Sequence, residues 1–313
     1  MTQEKKRPLY YYLSPLNWHI WLAFLLLKLN SYLPLNIQIK NGKFIGRIGH
    51  KLLKKRRAIT RRNINLAFPN FSKKQRNQLA LEHFEAIGAS FSELGLSRWG
   101  SKKTLMKNSK WEGKEYLQEA LKSKRGIILL SAHFTTLEIS GRILNYGLPE
   151  FDVVYRKNRN EFINEILHSS RKLYARKIIE KRDIKSMIRT LRDGGIVWYA
   201  PDQSYNRKQS DVIPFFNIPA MTNTATSTIA KLGNALILPF FPRRIANSEY
   251  VLTFKPIIKE FPSNDVIKDT KKYVEILEKQ IRLCPEQYYW IHRKYKNLPR
   301  DYENYYANLE RWM

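Results

Sequence analysis

A single cysteine, Cys284, stands among 313 residues, so no disulfide can close within the chain. That fits a reducing compartment. No group of His and Cys has the spacing of a zinc site. Acidic residues are scarce. The 27 Asp and Glu face 56 Lys and Arg, a formal charge of +29. Such an imbalance predicts an anionic partner, and nucleic acid, lipid headgroups and an acidic carrier protein all qualify. Yet no RNP, zinc-finger or basic-zipper signature is present, and neither is an internal repeat or a low-complexity tract. Disorder is excluded, because 43% of the residues are hydrophobic and 13% are aromatic.

Long hydrophobic runs are also missing. The first clear apolar feature, Trp18 to Leu35, holds the run Ile20 to Leu27 and is broken by Lys28. A comfortable membrane span needs about 20 apolar residues. The expectation is therefore a retained membrane anchor, as a short span or an interfacial helix; a buried amphipathic helix is the alternative. Trp18, Tyr32 and Tyr10 to Tyr12 flank it with rings that favour a membrane interface. No small-residue cleavage site follows, against a removed signal peptide. The basic stretch Lys5-Lys6-Arg7 precedes the run, and seven of the twelve residues from Lys51 to Arg62 are basic. Beside an anchor, such a cluster is drawn to an anionic cytoplasmic leaflet; otherwise it is a solvated helix face. The expected division is an anchor over 1–35 and a cytoplasmic-side domain over 36–313.

Residues 36–120 read as mostly helical, with Ser72 placed to cap a helix. The pattern then changes. Gly126 to Ser131 is a short apolar run between turn-like flanks, as a buried strand requires. Phe151 to Tyr155, Gly195 to Ala200, Ala235 to Phe241 and Tyr250 to Phe254 share that character. Helical stretches lie between most of them: Thr136 to Tyr146, Asn160 to Arg176 and Asp183 to Arg192, with a later one from Asp265 to Leu283. Pro285 is placed to start a further helix. Alternating strands and helices predict an α/β fold with a largely parallel central sheet flanked by helices, carrying an N-terminal membrane-anchor helix. In such sheets function gathers at the carboxyl ends of the strands.

The loop after the first strand reads Ser131-Ala132-His133-Phe134-Thr135-Thr136-Leu137-Glu138. Within one helix, His133 and Glu138 would sit about 140° apart. With His133 in the loop and Glu138 in the first turn, they can meet. The carboxylate would then hold one imidazole nitrogen and leave the other as a base that activates a hydroxyl. A plain alternative is a capping box, Thr135-x-x-Glu138, with His133 a bonded loop residue.

Several further blocks stand in order: Arg56-Arg57-Ala58, Arg62 to Pro69, Val154-Tyr155-Arg156, Trp198 to Asp202, Pro239 to Arg244, and Pro285 to Arg293. Together with Ala132-His133 and Glu138, they resemble the bacterial lipid A late acyltransferases, the lauroyl/myristoyl transferases of the lysophospholipid acyltransferase superfamily. The resemblance covers nearly the whole chain. Glycerolipid branches usually carry Asp at the second motif position, and Glu138 looks like the lipid A branch.

That resemblance implies transfer of a fatty acyl chain from acyl-acyl carrier protein to a hydroxyl of a 3-hydroxyacyl chain on a phosphorylated lipid A precursor. It implies His133 as general base oriented by Glu138, direct attack without an acyl-enzyme, and no metal or redox cofactor. The expected partners are acyl carrier protein, the precursor and the inner membrane, with the catalytic domain facing the cytoplasm and no nucleic acid. Arg156 ends a strand and should face the side of His133; Arg171 and Asp202 match polar positions important in the family. All three are expected to bind substrate, Arg156 and Arg171 through the planar fork that suits phosphate or carboxylate. Asp202 could orient Arg171 or bind a sugar hydroxyl or amide. Structural ion pairs are the alternative for each. His292 is expected to be structural, and Arg243-Arg244 either face headgroups or form a solvated turn. Rival readings are an acyltransferase acting on another lipid, a silent membrane-surface scaffold, and a basic nucleic-acid-binding protein.

Overall fold

The computed structural model describes residues 9–206 and 208–313; Lys5-Lys6-Arg7 lies outside them. Helices lead: α1 (Trp18–Asn30), α2 (Leu35–Leu52), α3 (Lys54–Ala67), α4 (Lys73–Trp99) and α5 (Lys102–Lys107). Then come β1 (Ser109–Glu112), α6 (Lys114–Lys122), β2 (Gly126–Leu130), α7 (Leu137–Leu144), β3 (Phe151–Tyr155) and α8 (Glu161–Arg171). β4 (Ile178–Glu180), α9 (Ile184–Arg192) and β5 (Ile196–Tyr199) follow, then a hairpin of β6 (Ser210–Phe215) and β7 (Ile218–Asn223). The chain closes with α10 (Ala225–Gly233), β8 (Ala235–Arg244), β9 (Tyr250–Phe254) and α11 (Val266–Leu283).

Seven strands form one sheet in the order β1-β9-β8-β2-β5-β3-β4. Every neighbouring pair is parallel except β8 and β9. β2 lies inside the sheet and is buried at all five positions, which is why its sequence runs apolar instead of alternating. Successive residues still face opposite ways. Ile128, Leu130 and Val197 join one core with α9, α10 and α11, and Ile127, Leu129 and Trp198 join the other with α6 and α7.

The mostly parallel α/β architecture is the expected one; the differences are local. The helix expected to run to Arg176 stops at Arg171. Pro285 opens a single 3-10 turn, Pro285–Gln287, not a longer helix. Tyr288 is extended and bridges Phe134, so the aromatic run after the turn lies along the loop that follows β2.

The spanning form of the N-terminal anchor helix needs correction. α1 has 13 residues, about 20 Å of helix against a hydrocarbon core of about 30 Å. No helix among the described residues is long and apolar enough to cross a membrane. α1 also leans on the rest of the fold. Asn30 donates from Nδ2 to Ser92 Oγ on α4 at 3.2 Å, and Leu27 covers Gly95. Leu22, Leu25, Leu26 and Leu29 remain exposed, as do Phe44, Ile45 and Ile48 on α2. α2 and α4 touch backbone to backbone: a Cβ on Gly88 would lie 2.0 Å from the Gly42 carbonyl oxygen. A capping box of Ser72 and Gln75 starts α4.

Candidate active site

β2 carries the chain to the carboxyl edge of the sheet, where Ser131, Ala132 and His133 form a loop. Its backbone is held at almost every step. Ser131 N donates to the Tyr199 carbonyl at 2.8 Å, and the Tyr273 hydroxyl donates to the Ser131 carbonyl at 2.7 Å. Thr135 N donates to the Gln287 carbonyl at 2.8 Å, and Tyr289 N to the His133 carbonyl at 3.0 Å. Phe134 packs edge-on against Phe241 and Tyr288. A loop so bonded fixes the direction in which the His133 side chain leaves it.

That side chain meets Asp202. The strand next to β2 is β5, and Asp202 lies three residues beyond its end. His133 Nδ1 lies 2.6 Å from Asp202 Oδ1, and the His133 backbone N–H donates to the same oxygen at 3.1 Å. The imidazole side chain is 36% exposed and the carboxylate 2%. Burial pushes the Asp202 carboxyl up, but the His133 charge and hydrogen bonds, helped by Lys294, hold it below its ordinary value. An ionised carboxylate only accepts, so Nδ1 carries the hydrogen, and in the neutral form of the ring Nε2 holds the lone pair. Behind Asp202, the buried Lys294 ammonium donates to the Asp202 carbonyl at 2.6 Å and sits 4.7 Å above the Phe215 ring. Burial brings that ammonium down to about 8.

Glu138 was expected on His133 and is elsewhere. It occupies the first turn of α7, and its carboxylate accepts from Arg171 Nε at 3.1 and 3.3 Å, from Arg171 Nη2, and from the Tyr174 hydroxyl at 3.0 Å. Arg171 ends α8 and Tyr174 follows it, so the fork and the phenol close on Glu138 from one side. Burial opposes the Arg171 charge, but Glu138 outweighs it and raises the guanidinium above its ordinary range. Burial also drives the Tyr174 phenol well up. Among the described residues no hydrogen bond joins His133 to Glu138. Asp202, expected to bind substrate or to orient Arg171, takes the histidine, and Glu138 takes the arginine. The capping box is not formed either: Thr136 is the N-cap, its hydroxyl donates to the Pro242 carbonyl at 3.3 Å instead of capping, and the Thr135 hydroxyl is buried without a partner. Gly141 permits this arrangement, since a Cβ there would lie 2.5 Å from the Tyr174 ring.

The remaining candidates separate. Arg156 stands exposed just beyond β3, on the same sheet edge but in a different pocket from Glu138 and Arg171. His292 is structural in its contacts: Asn63 Nδ2 donates to its carbonyl at 2.7 Å, and its own Nε2 is buried. Burial, then Lys296, hold its imidazole down at about 4. Arg244 neither faces headgroups nor sits in a solvated turn. It is buried against Glu93 of α4, and its backbone exchanges hydrogen bonds of 2.7 and 2.8 Å with the Gln287 side chain. The same Gln287 holds Thr135, so this ion pair braces the histidine loop. Burial pushes the Cys284 thiol up to about 12, which leaves no thiolate nucleophile.

Lys294, Tyr174, Glu93 and Gln287 were not singled out from the sequence. Glu93 carried a faint signal: it lies on the face of α4 with Ala89 and Leu96, three to four residues away and buried. The others carried none, because their partners are distant in the chain.

The site's chemistry is an imidazole bonded through Nδ1 to a buried carboxylate, with no hydrogen bond at Nε2 among the described residues. Comparison with known proteins gives it a context. The sequence profile of the family described as "Bacterial lipid A biosynthesis acyltransferase" matches residues 5–297. The chain is 32% identical over 290 residues to a lipid A biosynthesis lauroyltransferase of Escherichia coli (strain K12), covering 92% of this chain and 94% of that protein. It is 30% identical over 291 residues to a lipid A biosynthesis palmitoleoyltransferase of the same strain, with the same coverage. A lipid A biosynthesis acyltransferase of Haemophilus influenzae is 31% identical over 294 residues, again covering 92% and 94%.

Proposed function

The chain belongs to the bacterial lipid A biosynthesis acyltransferase family, and on that premise we propose that it moves a fatty acyl chain from acyl-acyl carrier protein to a hydroxyl of a 3-hydroxyacyl chain on a phosphorylated lipid A precursor. That it is an acyltransferase acting in lipid A acylation follows from the family; the donor, the hydroxyl and the residue roles are our reading. The observation that carries them is the His133–Asp202 pair at 2.6 Å, with Nε2 left open at the carboxyl edge of the central strands.

His133 Nε2 takes the proton of the acceptor hydroxyl. The oxygen attacks the thioester carbonyl, a tetrahedral intermediate forms, and its collapse expels the thiolate, which receives the proton from the imidazolium. Asp202 keeps the imidazole in the basic tautomer and stabilises the cation that forms on it. Glu138 acts through Arg171: it fixes the guanidinium beside the start of α7 as a source of positive potential for the developing oxyanion. The expected direct bond from Glu138 to His133 is therefore replaced by Asp202. No acyl-enzyme is needed.

The protein works, in this reading, at the cytoplasmic face of the inner membrane, with the exposed leucines of α1 and Phe44, Ile45 and Ile48 of α2 lying in the interface. Of the Lys51 to Arg62 cluster, Arg57, Arg61 and Arg62 hold the chain's own C-terminal segment, and the exposed Lys51, Lys54, Lys55 and Arg56 are left to suit anionic headgroups. The donor carrier protein is acidic and the acceptor phosphorylated, so the charge of +29 has anionic partners without nucleic acid.

The test is the lipid A mass spectrum of a host lacking its late acyltransferases, supplied with this gene or its His133→Ala variant. A gain of one or two acyl groups with the intact gene alone is expected. An unchanged lipid A, with stable protein in both cases, contradicts the reading.

A further inference from the structure

The carboxyl ends of β3, β4 and β5 enclose a pocket of about 390 Å³ that the reaction above does not use. Its charged lining is Arg156, Lys157, Lys181, Arg182 and Lys296 against one acid, Glu180. Arg156 and Lys296 make no hydrogen bond or ion pair through their side chains among the described residues. Burial, then the like charges of Arg156 and Arg293, pull the Lys296 ammonium below its ordinary value. Five cations gathered against one carboxylate raise the free energy of the empty protein, and an anion relieves it. The pocket is also braced. Ser204 donates to the Lys296 carbonyl at 2.8 Å and accepts from Asn297 Nδ2 at 3.0 Å, so the backbone that carries Lys296 is tied to the loop that carries Asp202.

Its place in the sheet limits what the anion can be. β5 is the neighbour of β2, β3 the next strand, and β4 the last. Strands lie about 4.8 Å apart, so the pocket opens about 5–14 Å along the edge from the strand that bears His133. That is the span of a sugar ring and its substituents. Ser204 and Asn297 add uncharged hydrogen-bonding groups to the rim, as hydroxyls on a sugar would require.

We propose that this pocket receives a phosphate monoester of the sugar acceptor, with Arg156 and Lys296 as its chief ligands. The proposal rests on the acyltransferase reading and names the part of the acceptor that the pocket holds. Arg156 supplies a planar fork and Lys296 a compact point charge, the pair of shapes that suits a tetrahedral dianion. The phosphodiester of the donor's prosthetic arm is the competing source of the same chemistry.

The experiment uses the full chain and its Arg156→Gln/Lys296→Gln variant, both checked for an unchanged melting temperature. Each is assayed with the phosphorylated acceptor and with the same acceptor stripped of phosphate monoesters. The wild type should prefer the phosphorylated acceptor in kcat/KM, and the variant should lose that preference at least tenfold, through acceptor KM. An equal loss on both acceptors, or a change confined to the KM of the acyl-carrier-protein donor, overturns the proposal. Glucosamine 1-phosphate, titrated by phosphorus NMR without donor, reads the pocket apart from catalysis. If the wild type acylates no lipid A precursor yet binds this probe and the variant does not, the pocket stands while the acyl-transfer reading falls. If the wild type acylates the precursor but fails to bind the probe any better than the variant, the pocket falls alone.

Discussion

Asp202 and Glu138 are both carboxylates at the carboxyl edge of one sheet, yet their surroundings divide them. Asp202 is all but buried and faces a group that can gain and lose a proton. Glu138, 18% exposed, is saturated by a guanidinium fork and a phenol. The first pair joins an imidazole to a carboxylate; the second is a carboxylate held by a guanidinium, whose own charge Glu138 reinforces. In the proposed reaction, proton traffic belongs to His133 and Asp202, and fixed electrostatics to Glu138 and Arg171. The residue nearest to the histidine in sequence is the one that does not touch it.

The largest effect should follow from breaking the first pair. Asp202→Asn keeps the shape but favours the wrong tautomer, and acyl-transfer kcat should fall about 10³-fold, with His133→Ala at about 10³–10⁴-fold. Initial rates on a purified acceptor would show it. If Asp202→Asn costs less than tenfold, the comparison is broken. Glu138→Gln comes next. It leaves the mostly buried Arg171 without its counter-charge, so about 2 kcal/mol of stability and about 10²-fold in rate should go. Arg171→Gln should cost much the same, and the double variant little more than either one, because both act on one bond network. Denaturant melts and rates together test that.

Smaller effects sharpen the picture at its edges. His83 of α4 is fully buried, and burial holds its imidazole down at about 4 despite a 3.0 Å hydrogen bond to the Glu286 carbonyl. Its pKa in the fold is depressed, so the unfolded chain takes up the proton first. Stability is then fully present above the unfolded value of about 6.5 and is lost as pH falls toward 4, by on the order of 3 kcal/mol. Melts of the wild type and His83→Gln between pH 7 and 4.5 should converge as the pH drops; parallel curves would contradict this. Gly141→Ala should be mildest, about 1–2 kcal/mol of overpacking against Tyr174. Its rate loss should follow that of Glu138→Gln and not that of Asp202→Asn.

How much of this could be read in advance depends on distance along the chain. The buried run before His133, the strands at 151–155 and 250–254 and the mostly parallel sheet were legible, because a two-faced buried strand leaves an unbroken apolar signature. β4, with three residues, and β1, with the polar Ser109-Lys110-Trp111-Glu112, were not, since edge strands carry no such run. His133 and Asp202 were each visible as strand-end residues. Their pairing was not: it depends on β5 lying beside β2, and 69 residues separate the two. The five-residue spacing to Glu138 pointed to a local partner, but a residue in the first turn of α7 is within reach of the end of α8, where Arg171 and Tyr174 wait. The apolar segment was legible, but that it is too short to span was decided only once the helix was seen to end at Asn30.

The division of labour between the two carboxylates is tested most directly by a pair of double-mutant cycles on kcat. One combines His133→Ala with Asp202→Asn, the other His133→Ala with Glu138→Gln. Without the imidazole, Asp202→Asn should cost almost nothing further, while Glu138→Gln should keep most of its own loss. The reverse result, in which the Glu138 effect vanishes with His133 and the Asp202 effect persists, would make Glu138 the partner of the base and contradict the account.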